Sequence, residues 1–371
     1  MAQLPVSVCF WNYDRTMPMA DGRVEIEGCD ATFHIRRPED AFHRAFYHAE
    51  YDITELSFSR FMARYSEDNV AYDVIPVFPS RAFRHGALFI RTDRGIKTPE
   101  DLKGKTLGLM DFEMTAALVA RGMLTDDHNI APRDISWVVG AVEDNGDHIP
   151  QGASKSTAAG VEINLAPEGR SLNTLLANGQ IDGIVGLYEP SCMAGGAPVK
   201  RLFPDWRSTE QDYFRRTGIF PIMHTVAIRK TLLAENPWIA RAVYRAFCDA
   251  KEIAITELQV PQASKVTLPW VVAEYAATAE IMNGDIWPYG FAANRKVIEA
   301  MIRWSQNDEL LARNLVAASN DGPTILGGFK KRVEGIAWTL TDSNKEKLSA
   351  SKIKEAKKMA ERCTRKNYKG C

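Results

Sequence analysis

Several features that define other classes of protein are missing from this chain of 371 residues. It contains no run of about 18 apolar residues, so the sequence predicts no membrane-spanning helix. The N-terminal segment MAQLPVSVCFWNYDRT lacks both the basic start and the sustained apolar stretch of a secretory signal. We therefore expect a cytoplasmic protein.

Metal-binding and nucleotide-binding motifs are also missing. The six cysteines lie far apart without C-x-x-C spacing, which argues against a zinc site and against a dense disulfide framework. The patterns H-E-x-x-H, G-x-G-x-x-G and the P-loop do not occur. We expect no cofactor; the alternative is a divalent metal ion held by residues far apart in the sequence, namely His85, His224, Asp14 and Glu55.

A large net charge is also missing, although the charges are unevenly spread. The net charge is −1, yet residues 341–371 hold ten Lys and Arg against four Asp and Glu. This basic tail could form a helix, and a solvated or frayed terminus is favoured over contact with nucleic acid or an anionic surface. We expect no nucleic-acid partner, and both a monomer and a homo-oligomer are compatible with the sequence.

What the sequence does contain is an alternation of short apolar runs with helical patterns. The runs VSVCFW, DITEL, KTLGLM and IDGIVGL are too short for helices and are separated by helical segments. This alternation predicts an α/β fold with largely parallel sheets. The length exceeds the roughly 100 to 200 residues of one ordinary domain and favours two lobes.

Two strand-like segments, 85–91 and 221–229, indicate where the chain passes between lobes. We predict lobe I from residues 1–88 and 224–340, lobe II from residues 89–223, and a cleft where two crossing strands join them. The segment 283–296 interrupts a helical region with Gly, Pro and aromatic residues, as either a packing turn or a rim of the cleft. The polar segment 143–166 predicts an exposed loop or hairpin.

The stretch VFPSRAFRHG places cationic side chains at the first crossing. If it is one continuous strand, Arg81, Phe83 and His85 project to one side and Arg84 to the other. The second crossing, FPIMHTVAIR, carries His224. Each arginine either contacts a ligand or pairs with a surface acid, and each histidine either lines the cleft or is a core residue.

Other candidates follow the predicted strands, at the carboxyl ends where open α/β sheets bind ligands. Thr115 is a candidate N-cap of a helix whose first amides could bind an anion. Glu55 is either a base or the partner of Arg15, and Asp14 either accepts a proton or closes a turn. The complete set is Asp14, Arg15, Glu55, Ser57, Ser59, Arg60 and Thr115.

Long segments of the sequence resemble the 4,5-dihydroxyphthalate decarboxylase family, within the type II periplasmic-binding-protein-like fold group. The similarity spans roughly residues 6–310. The segments that carry it are NYDRT (12–16), DGRVEIEG (21–28), AEYDITELSFSRF (49–61), IPVFPSRAFRHGALFIRTDRGIKTPEDLKGK (75–105), MTAALVARGML (114–124), YFRRTGIFPIMHTVAIRK (213–230) and WPYG with NR (287–295).

The resemblance implies non-oxidative decarboxylation of a hydroxylated aromatic dicarboxylic acid, from 4,5-dihydroxyphthalate to protocatechuate and CO2. That chemistry needs an acid to protonate the ring carbon, for which His85 and His224 are the candidates, and Asp14 or Glu55 as partner of a ring hydroxyl. Arg81, Arg84, Arg15 and Arg60 would hold the carboxylates. The main alternative is a non-catalytic binding protein for a small organic anion. A biosynthetic enzyme like the pyrimidine-synthesising relatives on this fold is a third possibility.

Overall fold

The computed structural model describes residues 3–144, 160–313 and 315, which lie within one compact unit, Met1–Ile325. The predicted basic tail, 341–371, lies outside the described residues, and so do residues 145–159 of the predicted loop. The strands, numbered in chain order, are β1 (Leu4–Phe10), β2 (Cys29–Ile35), β3 (Ile53–Ser57), β4 (Tyr72–Arg81), β5 (Leu88–Arg91), β6 (Thr106–Leu109), β7 (Ser136–Val139), β8 (Ile163–Leu165), β9 (Gly183–Val185), β10 (Val199–Arg201) and β11 (Ile222–Arg229).

Helices separate most of these strands. None of the described helices is both long and apolar enough to cross a membrane. They are α1 (Met17–Ala20), α2 (Pro38–His48), α3 (Phe58–Ser66), α4 (Thr115–His128), α5 (Leu172–Ala177), α6 (Ser191–Ala194), α7 (Trp206–Thr217), α8 (Lys230–Glu235), α9 (Ile239–Glu257), α10 (Val271–Ile281) and α11 (Phe291–Asn307).

The strands form two mixed sheets. The first has the order β2-β1-β3-β11-β4, in which β11 runs antiparallel to both of its neighbours. The second has the order β10-β5-β9-β6-β7-β8, in which β6 to β9 run parallel, β5 runs antiparallel to its neighbours β9 and β10, and β10 therefore points the same way as β6 to β9. This architecture confirms the predicted α/β fold with two sheets.

The chain passes from the first sheet to the second after β4 and returns before β11. Neither passage is a long strand. β4 ends at Arg81, and a 3-10 turn at His85–Ala87 precedes β5. The prediction that Arg81, Phe83 and His85 share one strand face was therefore wrong, because the extended backbone stops before Phe83.

The position of β3 in the first sheet matters for the site. All five of its residues are buried, because β3 lies between β1 and β11 and packs against α2 and α3. A carboxylate on this strand, Glu55, is consequently removed from solvent and requires hydrogen-bond partners inside the protein.

Helices α4 and α11 pack closely at another point of the fold. Gly122 of α4 leaves room for the indole of Trp304, because a Cβ at that glycine would overlap the ring. Next to it, the buried Arg121 guanidinium donates to Asp308 at 2.7 Å. Since α4 follows a strand of the second sheet and α11 packs on α3 as well, this contact ties the two sheets' helices together.

Candidate active site

The centre of the site is the carboxylate of Glu55, which is completely buried. One oxygen, Oε1, lies 2.5 Å from Nδ1 of His224 and accepts a 2.7 Å hydrogen bond from the phenol of Tyr13. The other, Oε2, accepts the backbone N–H of Trp11 at 3.1 Å. The buried charge is thus matched by three donors, two from the segment that follows β1 and one from β11.

Strand register explains why these groups meet. In the antiparallel pairing of β11 with β3 and β4, His224 lies opposite Ser57 and Ser80, and Val226 lies opposite Glu55. Residues directly opposite share a face of the sheet, so Glu55 and His224 project to the same side. The carboxyl ends of β1, β3 and β4 meet at this edge, which is where sheets of this kind bind ligands.

The electrostatic consequence is clearest for Glu55 and Tyr13. Burial by itself raises the pKa of Glu55, but the hydrogen bond and charge of His224, with Tyr13 and the Trp11 amide, lower that pKa below its usual value. Burial, followed by the charge of Glu55, raises the pKa of the Tyr13 phenol. The carboxylate is therefore ionised and the phenol is its neutral donor at neutral pH.

His224 keeps one ring nitrogen available. Its Nδ1 faces Glu55, the edge of Phe42 approaches the imidazole with 4.8 Å between ring centroids, and the side chain is 17% exposed. Within the described parts of the chain no hydrogen bond reaches Nε2. A carboxylate at one nitrogen and a free second nitrogen is the arrangement of an oriented general acid or base.

Arg15 lies beside this centre. Its guanidinium is sandwiched between the rings of Tyr13 and Trp287, 4.3 and 4.0 Å from their centroids, and it donates to the carbonyl of Pro79. Its second partner is Asp14 at 2.9 Å. The alternative in which Glu55 pairs with Arg15 was wrong, because Glu55 pairs with His224 instead.

Hydroxyl groups join β3 and α3 to the start of α4. Ser57 and Thr115 share a 3.0 Å hydrogen bond, and the backbone N–H of Ser59 donates to Thr115 at 3.1 Å. Ser59 also donates to the carbonyl of Glu113. Thr115 is the first residue of α4 and not its N-cap, which is Met114, so that part of the prediction was wrong. The Thr115 hydroxyl is instead directed at the two serines.

Arg60 and Asp111 form an ion pair alongside these hydroxyls, linking α3 to the loop between β6 and α4. Their side chains are 16% and 5% exposed. The pair is neutral overall and holds the guanidinium of Arg60 next to these hydroxyls.

Arg81 and Arg84 are buried or partly buried arginines whose hydrogen bonds are to groups outside the Glu55 centre. Arg81 is buried and donates to the carbonyls of Phe220 and Pro288 and to the amide oxygen of Asn294, and burial lowers its pKa to about 9. Arg84 contacts the sulfur of Met223 at 3.0 Å, and burial lowers its pKa to about 10. Arg81 holds the segment before α11 against β4, while Trp287 of the same segment covers Arg15, so 283–290 both packs as a turn and borders the site, and 291–296 begin α11. The ligand contacts assigned to both arginines stay predictions.

His85 lies apart from the Glu55 centre. It is 2% exposed and packs edge-on against Phe203 and Tyr213, with ring centroids 5.3 and 5.1 Å away. Its Nδ1 is buried without a partner among the described residues, and burial lowers its pKa to about 4. The contacts of His85 and His224 have no residue in common, so the expected pairing of the two histidines is not what the structure shows.

Sequence reasoning missed several residues of this centre. Tyr13 stands inside the segment NYDRT, of which only the charged residues Asp14 and Arg15 were predicted as candidates. Trp287 and Phe42 approach from distant segments. The available signal was a tyrosine three residues after the end of β1, because open α/β sheets bind ligands at the carboxyl ends of their strands.

A metal centre was the alternative to cofactor-free chemistry. No group of three or more His, Cys, Asp or Glu side chains suited to a metal ion occurs in residues 3–144 and 160–313. His85 does not form a cluster with Asp14, Glu55 and His224, because its ring contacts are with Phe203 and Tyr213. The absence of a cofactor stays a prediction.

Comparison with known proteins gives the family. A curated protein from Comamonas testosteroni named 4,5-dihydroxyphthalate decarboxylase is 40% identical over 331 residues, which cover 89% of this chain and 100% of that protein. The chain belongs to the 4,5-dihydroxyphthalate decarboxylase family. A protein of the same name from Pseudomonas putida is 40% identical over 216 residues, covering 58% of this chain and 83% of its own length. Within this family member, residues 84–174 match the family described as NMT1/THI5 like.

The fold comparison agrees with the two-sheet architecture. A crystal structure of SsuA from Methylobacillus flagellatus KT, named as a periplasmic sulfonate-binding protein, aligns with a TM-score of 0.50 and 13% identity. The alignment covers 90% of this chain and 96% of that chain. The predicted periplasmic-binding-protein-like fold and the family resemblance are both confirmed.

Proposed function

We propose that the protein decarboxylates a hydroxylated aromatic dicarboxylic acid, and that 4,5-dihydroxyphthalate is converted to protocatechuate and CO2. The observation that carries this proposal is the buried Glu55–His224 pair, with one imidazole nitrogen free at the carboxyl ends of β1, β3 and β4. The names of the two relatives that are 40% identical supply the substrate class.

The chemistry requires a proton at the carbon that loses CO2. As the bond between ring carbon and carboxylate breaks, its electron pair stays with the ring, and the proton on Nε2 of His224 forms the new C–H bond. Glu55 keeps Nδ1 as the donor toward itself, so the ring nitrogen facing the substrate is Nε2. His224 regains its proton from solvent after CO2 leaves. A positioned acid of this kind contributes roughly 10²- to 10⁴-fold in rate.

The substrate's negative charges also need partners. Arg15 and Arg60 are each 16% exposed and are paired with Asp14 and Asp111. A substrate carboxylate would take the place of these side-chain partners, and the flat guanidinium suits two-pronged binding of a carboxylate. Asp14 is then free to accept a hydrogen bond from a ring hydroxyl, which feeds electron density to the carbon being protonated.

The test is turnover by purified, chelator-treated protein. We expect 4,5-dihydroxyphthalate to yield CO2 and protocatechuate in equal amounts, and in D2O the product to carry one deuterium at the vacated ring carbon. Phthalate, which lacks the electron-donating hydroxyls, is the matched analogue and should not react. If the chelator-treated protein is inactive and an added divalent metal restores its CO2 release, the result would support the metal alternative.

Binding of the substrate without CO2 release would overturn the proposal in favour of the anion-binding alternative. Location in the cytoplasm, the lack of a nucleic-acid partner and the oligomeric state stay predictions.

A further inference from the structure

We propose that Tyr13 is a positioning residue for this reaction: its phenol fixes the Glu55 carboxylate in the orientation that in turn fixes the His224 imidazole. The proposal rests on the proposed function and adds a residue that acts on the substrate only indirectly, through Glu55 and His224.

The geometry points to a shared oxygen. The Tyr13 hydroxyl lies 2.7 Å from Oε1 of Glu55, and Nδ1 of His224 lies 2.5 Å from the same oxygen. The hydroxyl and Nδ1 are themselves 3.4 Å apart. If the phenol were absent, only the imidazole would donate to Oε1 and only the Trp11 amide to Oε2, so two contacts instead of three would fix the orientation of the buried carboxylate.

Tyr13 is itself held on several sides. Its backbone carbonyl accepts from the N–H groups of Thr16 and Met17, and the Thr16 hydroxyl closes the same turn. The Arg15 guanidinium covers its ring at 4.3 Å. A phenol placed this firmly loses little side-chain freedom on bonding to Glu55, which makes it suited to orienting a neighbour.

Among the described residues, a small set of ionisable groups faces Glu55. Cys9 on β1 interacts with its charge, His224 approaches from β11, and Tyr13 from the turn after β1, with Arg15 on the far side of the phenol ring. Because Tyr13 is one of the donors that lower the pKa of Glu55, its removal raises that pKa. If activity needs the ionised carboxylate, a variant without the Tyr13 hydroxyl therefore loses activity at a higher pH than wild type when the pH is lowered.

The experiment compares Tyr13→Phe with wild type, using Tyr72→Phe as the control. Phenylalanine keeps the ring under Arg15 and removes only the hydroxyl. Tyr72 is a buried tyrosine in the same sheet whose hydroxyl donates to the backbone carbonyl of Tyr51, so its variant loses a comparable bond away from Glu55. The readouts are kcat and KM across pH, and the Glu55 carboxyl titration followed by 13C NMR.

For Tyr13→Phe we expect kcat to fall about 10-fold, the size of effect of one hydrogen bond to a charged group. KM should be nearly unchanged, and the acidic limb of kcat should move up by about one pH unit. The NMR titration of Glu55 should move in the same direction, whereas Tyr72→Phe should leave both unchanged.

A Tyr13→Phe enzyme with the wild-type pH profile and Glu55 titration would overturn the proposal even if decarboxylation is confirmed. An inactive wild-type protein would instead overturn the proposed function, and the NMR titration would still decide the role of Tyr13.

Discussion

His85 and His224 stand in similar sequence surroundings and in opposite physical ones. Each follows a segment that contains a Phe-Pro pair and each lies near a passage between the sheets. His224 meets a buried carboxylate on one side and keeps a free nitrogen on the other, whereas His85 is enclosed by Phe203 and Tyr213. The difference teaches that a histidine is suited to act as an acid when it has a carboxylate partner and a ring nitrogen that a substrate can reach. Its neighbours in sequence do not decide this.

The largest effect should come from His224→Gln, which keeps the size and polarity of the side chain but cannot transfer a proton. We expect kcat to fall by roughly 10²- to 10⁴-fold, the usual contribution of a general acid. The measurement is steady-state CO2 release.

His85→Gln is the matched variant for that experiment. It should retain kcat, because His85 contacts none of the residues around Glu55. If His85→Gln lost as much activity as His224→Gln, the distinction between the two histidines would be wrong.

Next in size is Glu55→Gln, which keeps the shape of the side chain and removes the charge that orients His224. We expect kcat to fall by about 10²-fold or more, since loss of the carboxylate behind a catalytic imidazole costs up to roughly 10⁴-fold. Substrate binding measured by calorimetry should change little. A variant with normal kcat would show that His224 needs no carboxylate partner.

A third expectation concerns stability at the other histidine. The folded pKa of His85 is about 4, below the ordinary value of 6.5, so the fold favours the neutral ring. The resulting stabilisation is complete above pH 6.5 and is lost as the pH falls towards 4, and it amounts to at most about 3 kcal/mol.

Urea unfolding of wild type and His85→Gln at pH 7 and pH 5 measures this effect. The free energy of unfolding should fall more steeply in wild type than in the variant, because the variant lacks the group that must charge. If the free energy of unfolding fell equally in both proteins between pH 7 and pH 5, the buried His85 ring would not be a source of acid sensitivity.

The smallest effect should come from Phe42→Leu, which removes the aromatic edge from the His224 ring while keeping an apolar side chain. An aromatic contact contributes about 0.5 to 1.5 kcal/mol, and we therefore expect kcat to fall by only about 2- to 10-fold. The same CO2 assay applies. A loss as large as that of Glu55→Gln would instead give Phe42 a direct part in the reaction.

Much of the fold could be predicted, and the candidate site only in part. The alternation of apolar runs with helical patterns indicated two α/β sheets, and the strand ends indicated Glu55 and Asp14 as candidates whose roles stay predictions. Strand periodicity failed at Phe83 and His85 because nothing local shows that β4 stops at Arg81. Arg81 itself satisfies backbone carbonyls from two distant segments, which no spacing in the sequence could show.

By itself the sequence determined the fold class and the family, because hydrophobic periodicity and long shared segments are properties of the chain as written. It also determined which residue types were available for acid and anion chemistry. Only the tertiary structure decided that Glu55, Tyr13 and His224 meet while His85 does not. The reason is that strand register and burial bring together groups up to 211 positions apart, and these contacts shift the pKa values of Glu55 and Tyr13.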